Sequence, residues 1–246
     1  MDLTQFLSGA DAGRAQNTLA RLRRHGFGSL VLTGGIAIEL HLLRRCLPVA
    51  ARPLNDIDFL ADSFDGIPKT LAADFIFRHV HPHDPPGKTL LQSVDPETAV
   101  RVDVFRAYGR EMERAQSIEL AHEPMRIIGI DDLIARNARL SLDLASGTPT
   151  PAKYPRDFLR LLPLAQGANW QAANMEEIWR EHRKPGHPAS FAQTAELLSE
   201  IIPQRKDLQT VVEYSRDADK ECSRCKATEA FPLAAGERIL SLLGYC

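Results

Sequence analysis

Apolar positions along the chain follow helical spacing, then strand-like alternation, then helical spacing again. Ala15, Leu19 and Leu22 recur at helical intervals and Gly26 and Gly28 interrupt them, which predicts a helix over residues 11–25. Ser29-Leu30-Val31-Leu32-Thr33 is a short apolar run that reads as a strand and ends at Gly34-Gly35. Ile36, Leu40, Leu43 and Leu47 then resume helical spacing, with Pro48 as the expected stop. The unit is strand, glycine turn, helix. Asn55-Asp56-Ile57-Asp58-Phe59-Leu60 alternates polar and apolar as a half-buried strand does. A short helix over 68–74 and a strand over 75–80 follow, and residues 81–87, with three prolines, read as a loop. Strands over 90–94 and 98–105 flank the turn signal Asp95-Pro96-Glu97 as in a hairpin. In the second strand Thr98, Val100, Val102 and Val104 share one face, so Asp103 is expected on the other, pointing away from the core.

From residue 131 the pattern is helical, over 131–145, 155–165, 172–181, 190–200 and 234–243. No repeat or low-complexity tract interrupts it. The fold class expected is α+β: a mixed sheet with flanking helices in a catalytic-type domain over 1–125, then a helical domain over 126–246.

Composition narrows the class. The chain has 246 residues, 44% hydrophobic and 25% charged, as soluble globular proteins do. Its uncharged apolar runs are far shorter than the roughly 20 residues of a spanning helix, so no membrane partner is expected. Met1-Asp2-Leu3-Thr4 does not open a secretory or transit signal, and a cytoplasmic location is the expectation. Four cysteines do not make a disulfide framework in a chain of this length.

The net charge of −2 argues against a protein that only coats nucleic acid, but it is a sum of opposed parts. Residues 1–53 carry seven basic and three acidic side chains, residues 54–125 seven basic and thirteen acidic, and the remainder sixteen of each. Acid concentrates in the second segment, and closely placed carboxylates repel one another unless a cation sits between them.

Asp56 and Asp58, two residues apart on a strand, leave the same face about 6.5–7 Å apart. Such a pair can share a hard cation, and magnesium, with its preference for oxygen ligands, suits an open acidic strand. An Asp-x-Asp also marks the solvent face of many ordinary strands. Gly34-Gly35, between an apolar strand and a helix, lets backbone N–H groups approach a phosphate, and Thr33 can add a hydroxyl. A tight ligand-free turn is the plainer reading of a lone Gly-Gly, and the absence of a following Gly-Lys-Ser/Thr excludes a Walker motif.

Gly34-Gly35, Asp56-x-Asp58 twenty-one residues on, and Asp103 on a later alternating strand together resemble the nucleotidyltransferase superfamily of the DNA polymerase β type. Thr33-Gly34-Gly35-Ile36-Ala37-Ile38-Glu39-Leu40 and Arg52-Pro53-Leu54-Asn55-Asp56-Ile57-Asp58-Phe59 are most similar to abortive-infection, AbiEii-like nucleotidyltransferases. The resemblance covers about residues 28–106 well and extends faintly to about 165.

It implies an enzyme that moves a nucleoside monophosphate from a nucleoside triphosphate (NTP) to an acceptor hydroxyl. Asp56, Asp58 and Asp103 would be catalytic and hold Mg²⁺, Asp103 would take the acceptor's proton, and Thr33, Gly34 and Gly35 would cradle phosphates. Arg52, with Arg45 as a further candidate, would offset charge on the leaving pyrophosphate. It also implies a tRNA or protein acceptor, toxin-like behaviour and an antitoxin partner.

In the helical half Asn137 stands where the family carries a nucleotide-binding Lys, and Arg160 replaces the second acid of an Arg-Asp-x-x-Asp segment. Asn137 lies on the stripe of Leu133, Leu140 and Leu144, which keeps it as a nucleotide-binding candidate, with Lys153 or Arg139 as substitutes for the Lys. These departures support a rival reading as a non-catalytic nucleotide- or partner-binding module. A third reading is an adenylyltransferase acting on a small antibiotic-type acceptor. Cys222-x-x-Cys225 without finger-spaced partners reads as ordinary thiols, His79, His81 and His83 as loop residues beside Asp84, and Trp170 and Trp179 as helix packing.

Overall fold

The computed structural model describes residues 1–64, 67–81, 90–121, 123–147, 150–165 and 172–205. The expected helix over 234–243, the Cys222/Cys225 pair, Trp170, His83 and the side chains of His79 and His81 lie outside the described residues. The rest falls into two compact units, Met1–Ile128 and a second beginning at Gly129.

The first unit opens with helix α1, Gly9–Arg24, capped by Ser8, whose hydroxyl accepts from the Asp11 amide at 3.2 Å. Its apolar stripe of Ala12, Ala15, Leu19 and Leu22 is buried. Strand β1, Val31–Thr33, is buried throughout and runs into helix α2, Gly34–Leu43, in which every residue from Ile36 to Leu42 is buried. A helix without a polar face belongs inside a core.

Helix α2 ends at Leu43, five residues before the proline expected to stop it. The Leu47 amide bonds to the Leu42 carbonyl and the Cys46 amide to that of Leu43, both at 3.0 Å, with Cys46 at φ 54°. This is a Schellman closure in which a cysteine occupies the left-handed position usual for glycine, so no glycine signal announces it.

The remaining strands are β2, Asp56–Ala61; β3, Ile76–His81; β4, Leu90–Asp95; β5, Val100–Arg106; β6, Gln116–Leu120; and β7, Glu123–Ile127. Residues Lys69–Ala73 form the short helical segment expected before β3, as a 3-10 turn. The seven strands of the described residues form one sheet in the order β3-β4-β5-β2-β1-β7-β6. The β2–β5 and β1–β7 pairs are parallel and the others antiparallel. Periodicity missed the β6–β7 hairpin because it is a polar edge: β6 buries only Ile118 and Leu120, and β7 contains Pro124.

A buried polar network fastens α1 to the β4–β5 hairpin. Asp95, fully buried, accepts from the Thr18 hydroxyl at 3.1 Å and from the Glu97 amide at 3.0 Å, and its carboxylate lies 3.2 Å from Nε of Arg21. Arg21 also pairs with Glu97 and donates to the Asp74 carbonyl.

The second unit contains helices α3, Ile130–Ser141; α4, Lys153–Ala165; α5, Ala172–His182; and α6, Phe191–Gln204. Trp179 is fully buried, stacks on His187, meets Phe191 edge-on, and donates to the Pro188 carbonyl at 3.0 Å. Glu176 of α5 caps α6 by accepting from the Phe191 and Ala192 amides. The architecture is therefore α+β, a mixed sheet with flanking helices and then helices alone along the chain. No helix among the described residues is long and apolar enough to cross a membrane.

Candidate active site

Register brings the site residues together. Thr33 on β1 stands opposite Asp58 on β2, Asp58 opposite Asp103 on β5, and Asp103 opposite Gln92 on β4. Directly paired residues share a face of a sheet, so these four side chains form a row across four adjacent strands. Asp56, two residues before Asp58, joins the same face and pairs with Arg101. Carboxylate oxygens of Asp56, Asp58 and Asp103 lie within 4.8 Å of one another.

Asp103 points away from the valine face, and on its own face it is buried, at 4% exposure. Gln92 covers it, its Nε2 donating at 3.3 and 3.4 Å to the two carboxylate oxygens, and Arg101 closes from the side with Nε 3.2 Å from Oδ2. Arg101 pairs with Asp56 as well. Asp56 and Asp58 are half-buried.

Gly34 lies at φ +69°, and a Cβ built on it would come 2.7 and 2.8 Å from Cγ and Cβ of Asp58, and closer still to Oδ2. The glycine thus serves both a left-handed turn and a close approach to the carboxylate. Thr33 precedes the helix without a side-chain capping bond. The first-turn amides of α2 therefore open beside the acidic row without their N-cap's hydroxyl on them.

Arg52 is not a loose surface arginine. Its Nε donates to Oε1 of the fully buried Glu39 at 2.6 Å, and its backbone amide bonds to the Phe6 carbonyl at 2.8 Å. The other oxygen of Glu39 accepts from the Ala50 amide at 3.0 Å. This clamp lays the guanidinium against Gly35, where a Cβ would stand 3.0 Å from one terminal nitrogen. Arg52 also borders an open groove of about 540 Å³ lined by Phe6, Ser8, Asp11 and Pro53 among others.

Arg45 is not brought to the glycines. It follows the C-terminal end of α2, where it donates to His41 at 3.4 Å. His41 is fully buried, with Nε2 2.7 Å from the Ile128 carbonyl; burial pushes its pKa down to about 4, assisted by Arg45 and Arg44 and opposed by the Ile128 hydrogen bond. Asn137 belongs to the second unit, where its side-chain amide donates to the Leu133 carbonyl one turn back, at 2.8 Å. Arg160 pairs with Asp157 in the same helix, and the Lys153 ammonium lies over the Tyr154 ring.

Three residues escaped the sequence reading: Glu39, Arg101 and Gln92. Glu39 had a signal, as the lone acid of helix α2, one turn after Gly35. Arg101, two positions before Asp103, had one too, since i and i+2 on a strand share a face. Gln92 needed the β4–β5 register.

No protein-family profile and no curated protein matches the chain. Solved structures do. The chain is similar to an antigenic nucleotidyltransferase-like protein from Paracoccidioides brasiliensis, at 15% identity over 73% of this chain and 81% of that one, with a TM-score of 0.37. It is also similar to JHP933 from Helicobacter pylori, at 16% identity over 80% and 95% of the two chains, with a TM-score of 0.35.

Proposed function

We propose that the chain is a Mg²⁺-dependent nucleotidyltransferase of the DNA polymerase β type that moves a nucleoside monophosphate from an NTP to an acceptor hydroxyl. The observation that carries this reading is the trio of Asp56, Asp58 and Asp103 gathered on β2 and β5, with Asp58 against Gly34. The donor set fits the metal: three carboxylates, all oxygen, close together and without thiolate or imidazole. When bound there, magnesium would neutralise phosphate charge and favour ionisation of the acceptor hydroxyl.

The chain's own residues account for the rest. The α2 amides after Thr33 and Gly34 receive β- and γ-phosphate oxygens, and Arg52, held by Glu39, offsets charge on the departing pyrophosphate. The acceptor oxygen bonds to the α-phosphorus, the bond to the β-phosphate breaks, and the hydroxyl proton passes to a carboxylate oxygen of Asp103. The domain boundary belongs near residue 125, and Asn137 is the nucleotide-binding candidate of the helical domain. Within the superfamily, the AbiEii-like group supplies the finer reading: a cytoplasmic toxin-like enzyme with a tRNA or protein acceptor and an antitoxin partner.

A second reading, a non-catalytic nucleotide-binding module, is favoured by the Asn137 amide's engagement with its own helix. Incubation with Mg²⁺ and each α-labelled NTP, offering total tRNA, the polypeptide itself and small hydroxylated acceptors, separates the two. Catalysis requires label that disappears in Asp56→Ala, Asp58→Asn and Asp103→Asn. Absence of Asp56-dependent label on every acceptor rejects the enzyme, and calorimetric NTP binding then decides for the module.

A further inference from the structure

The acidic row contains a cation of its own. Arg101 stands opposite Asp56 across the β2–β5 pair and two residues before Asp103 on β5, so its side chain leaves the same face as all three acids. The guanidinium pairs with Asp56, its Nε lies 3.2 Å from Oδ2 of Asp103, and the side chain is 15% exposed. The four residues form a quartet of three negative charges and one positive. Carboxylates this close repel one another, and a guanidinium set among them offsets much of that repulsion.

We propose that Arg101 is the resident counter-ion of the carboxylate trio: it holds Asp56 and Asp103 in place without metal and competes with a divalent cation for those same two oxygen donors. The inference rests on the reading that the trio binds such a cation. A cation entering the row has to share or displace the guanidinium, so affinity is lower, and the apo site better ordered, than three bare carboxylates would give. Arg101 is a positioning residue, acting on the metal through the carboxylates.

The test is Mn²⁺ binding to the full-length chain without nucleotide, followed by the paramagnetic resonance signal of free Mn²⁺, for wild type, Arg101→Gln and Arg101→Lys. Removing the positive charge from beside the trio should tighten binding about tenfold or more in Arg101→Gln, while Arg101→Lys stays near wild type. Without metal, Arg101→Gln should melt at a lower temperature than wild type, and saturating Mn²⁺ should close the gap.

Equal or weaker Mn²⁺ binding by Arg101→Gln overturns the proposal, as does failure of this variant to fold in the presence of Mn²⁺. The two readings fail separately. Asp56-dependent transfer by wild type with unchanged Mn²⁺ affinity in Arg101→Gln rejects the counter-ion alone, whereas tighter Mn²⁺ binding by the variant with no transfer by wild type rejects only the enzyme.

Discussion

Gly34→Ala is the substitution whose effect the geometry defines most narrowly. At φ +69° a residue with a Cβ is strained by about 1–2 kcal/mol before any neighbour is considered. The new methyl would also stand 2.7 Å from Cγ and 2.8 Å from Cβ of Asp58. Rotation of the carboxylate cannot relieve the second contact, because Cβ moves only with the β2 backbone, which is paired on both sides. Overpacking against a fixed neighbour adds about 1–3 kcal/mol, for a total of about 2–5 kcal/mol. In a chain of this size that lowers the melting temperature by roughly 5–15 °C.

Gly35→Ala is the control. Its Cβ would meet the end of a flexible arginine at 3.0 Å and its φ is not positive, so the loss should stay within about 1 kcal/mol. Thermal melts of both variants, with a third set in an Asp58→Ala background, measure the coupling. The Asp58→Ala background removes the carboxylate but keeps Cβ, so the penalty for Gly34→Ala should shrink there by the part owed to Cγ and Oδ2 while the backbone strain and the Cβ contact remain. A Gly34→Ala protein that melts within a degree of wild type, or an unchanged penalty in the Asp58→Ala background, would refute the close packing of glycine on carboxylate.

Three further predictions concern the frame around the site. Glu39→Ala removes the acceptor for both Arg52 and the Ala50 amide and should lower stability by about 1–3 kcal/mol in urea titrations, with part of the loss recovered by Glu39→Gln. His41 has a folded pKa of about 4 against an ordinary 6.5, so between those values the unfolded chain binds more protons and stability falls as pH falls. The group's contribution is fully present above pH 6.5 and declines by about 3 kcal/mol on the way to pH 4; His41→Gln should show a correspondingly shallower loss in melts across that range. Asp95→Ala strips the buried Arg21 of a buried partner and should cost about 3–5 kcal/mol by chemical denaturation, more than loss of the exposed Glu97 contact in Glu97→Ala.

Much of this frame was legible because its signals are local. The strand-Gly-Gly-helix unit, the alternation through Asp56 and Asp58, and the Asp95-Pro96-Glu97 hairpin each need fewer than about twenty consecutive residues to read. The end of α2 was hidden by a cysteine in a conformation usually given to glycine, and β6 and β7 by an edge that buries little.

The burial of Asp103 and its contact with Arg101 were hidden for a different reason. The hairpin accounts for the neighbour of β5 on one side, β4. Its other neighbour, β2, is some 45 residues earlier in the chain, and only that parallel pairing sets Asp58 beside Asp103 and Arg101 beside Asp56. Periodicity tells which way a side chain faces, not what stands next to it.

The row Thr33, Asp58, Asp103, Gln92 draws its members from four strands and a span of about seventy residues. Such a row does not exist in any partly folded chain whose central strands have not met, and pairings that distant close late and slowly. On the function proposed above, cation capture by the trio would be a timer on folding: it would begin only once the middle of the sheet is in register, and by mass action it would then hold that register closed. A fragment ending before residue 103 would contain both the glycine turn and the Asp-x-Asp and still have no site, and a cation titrated during refolding would report the arrival of β5 beside β2.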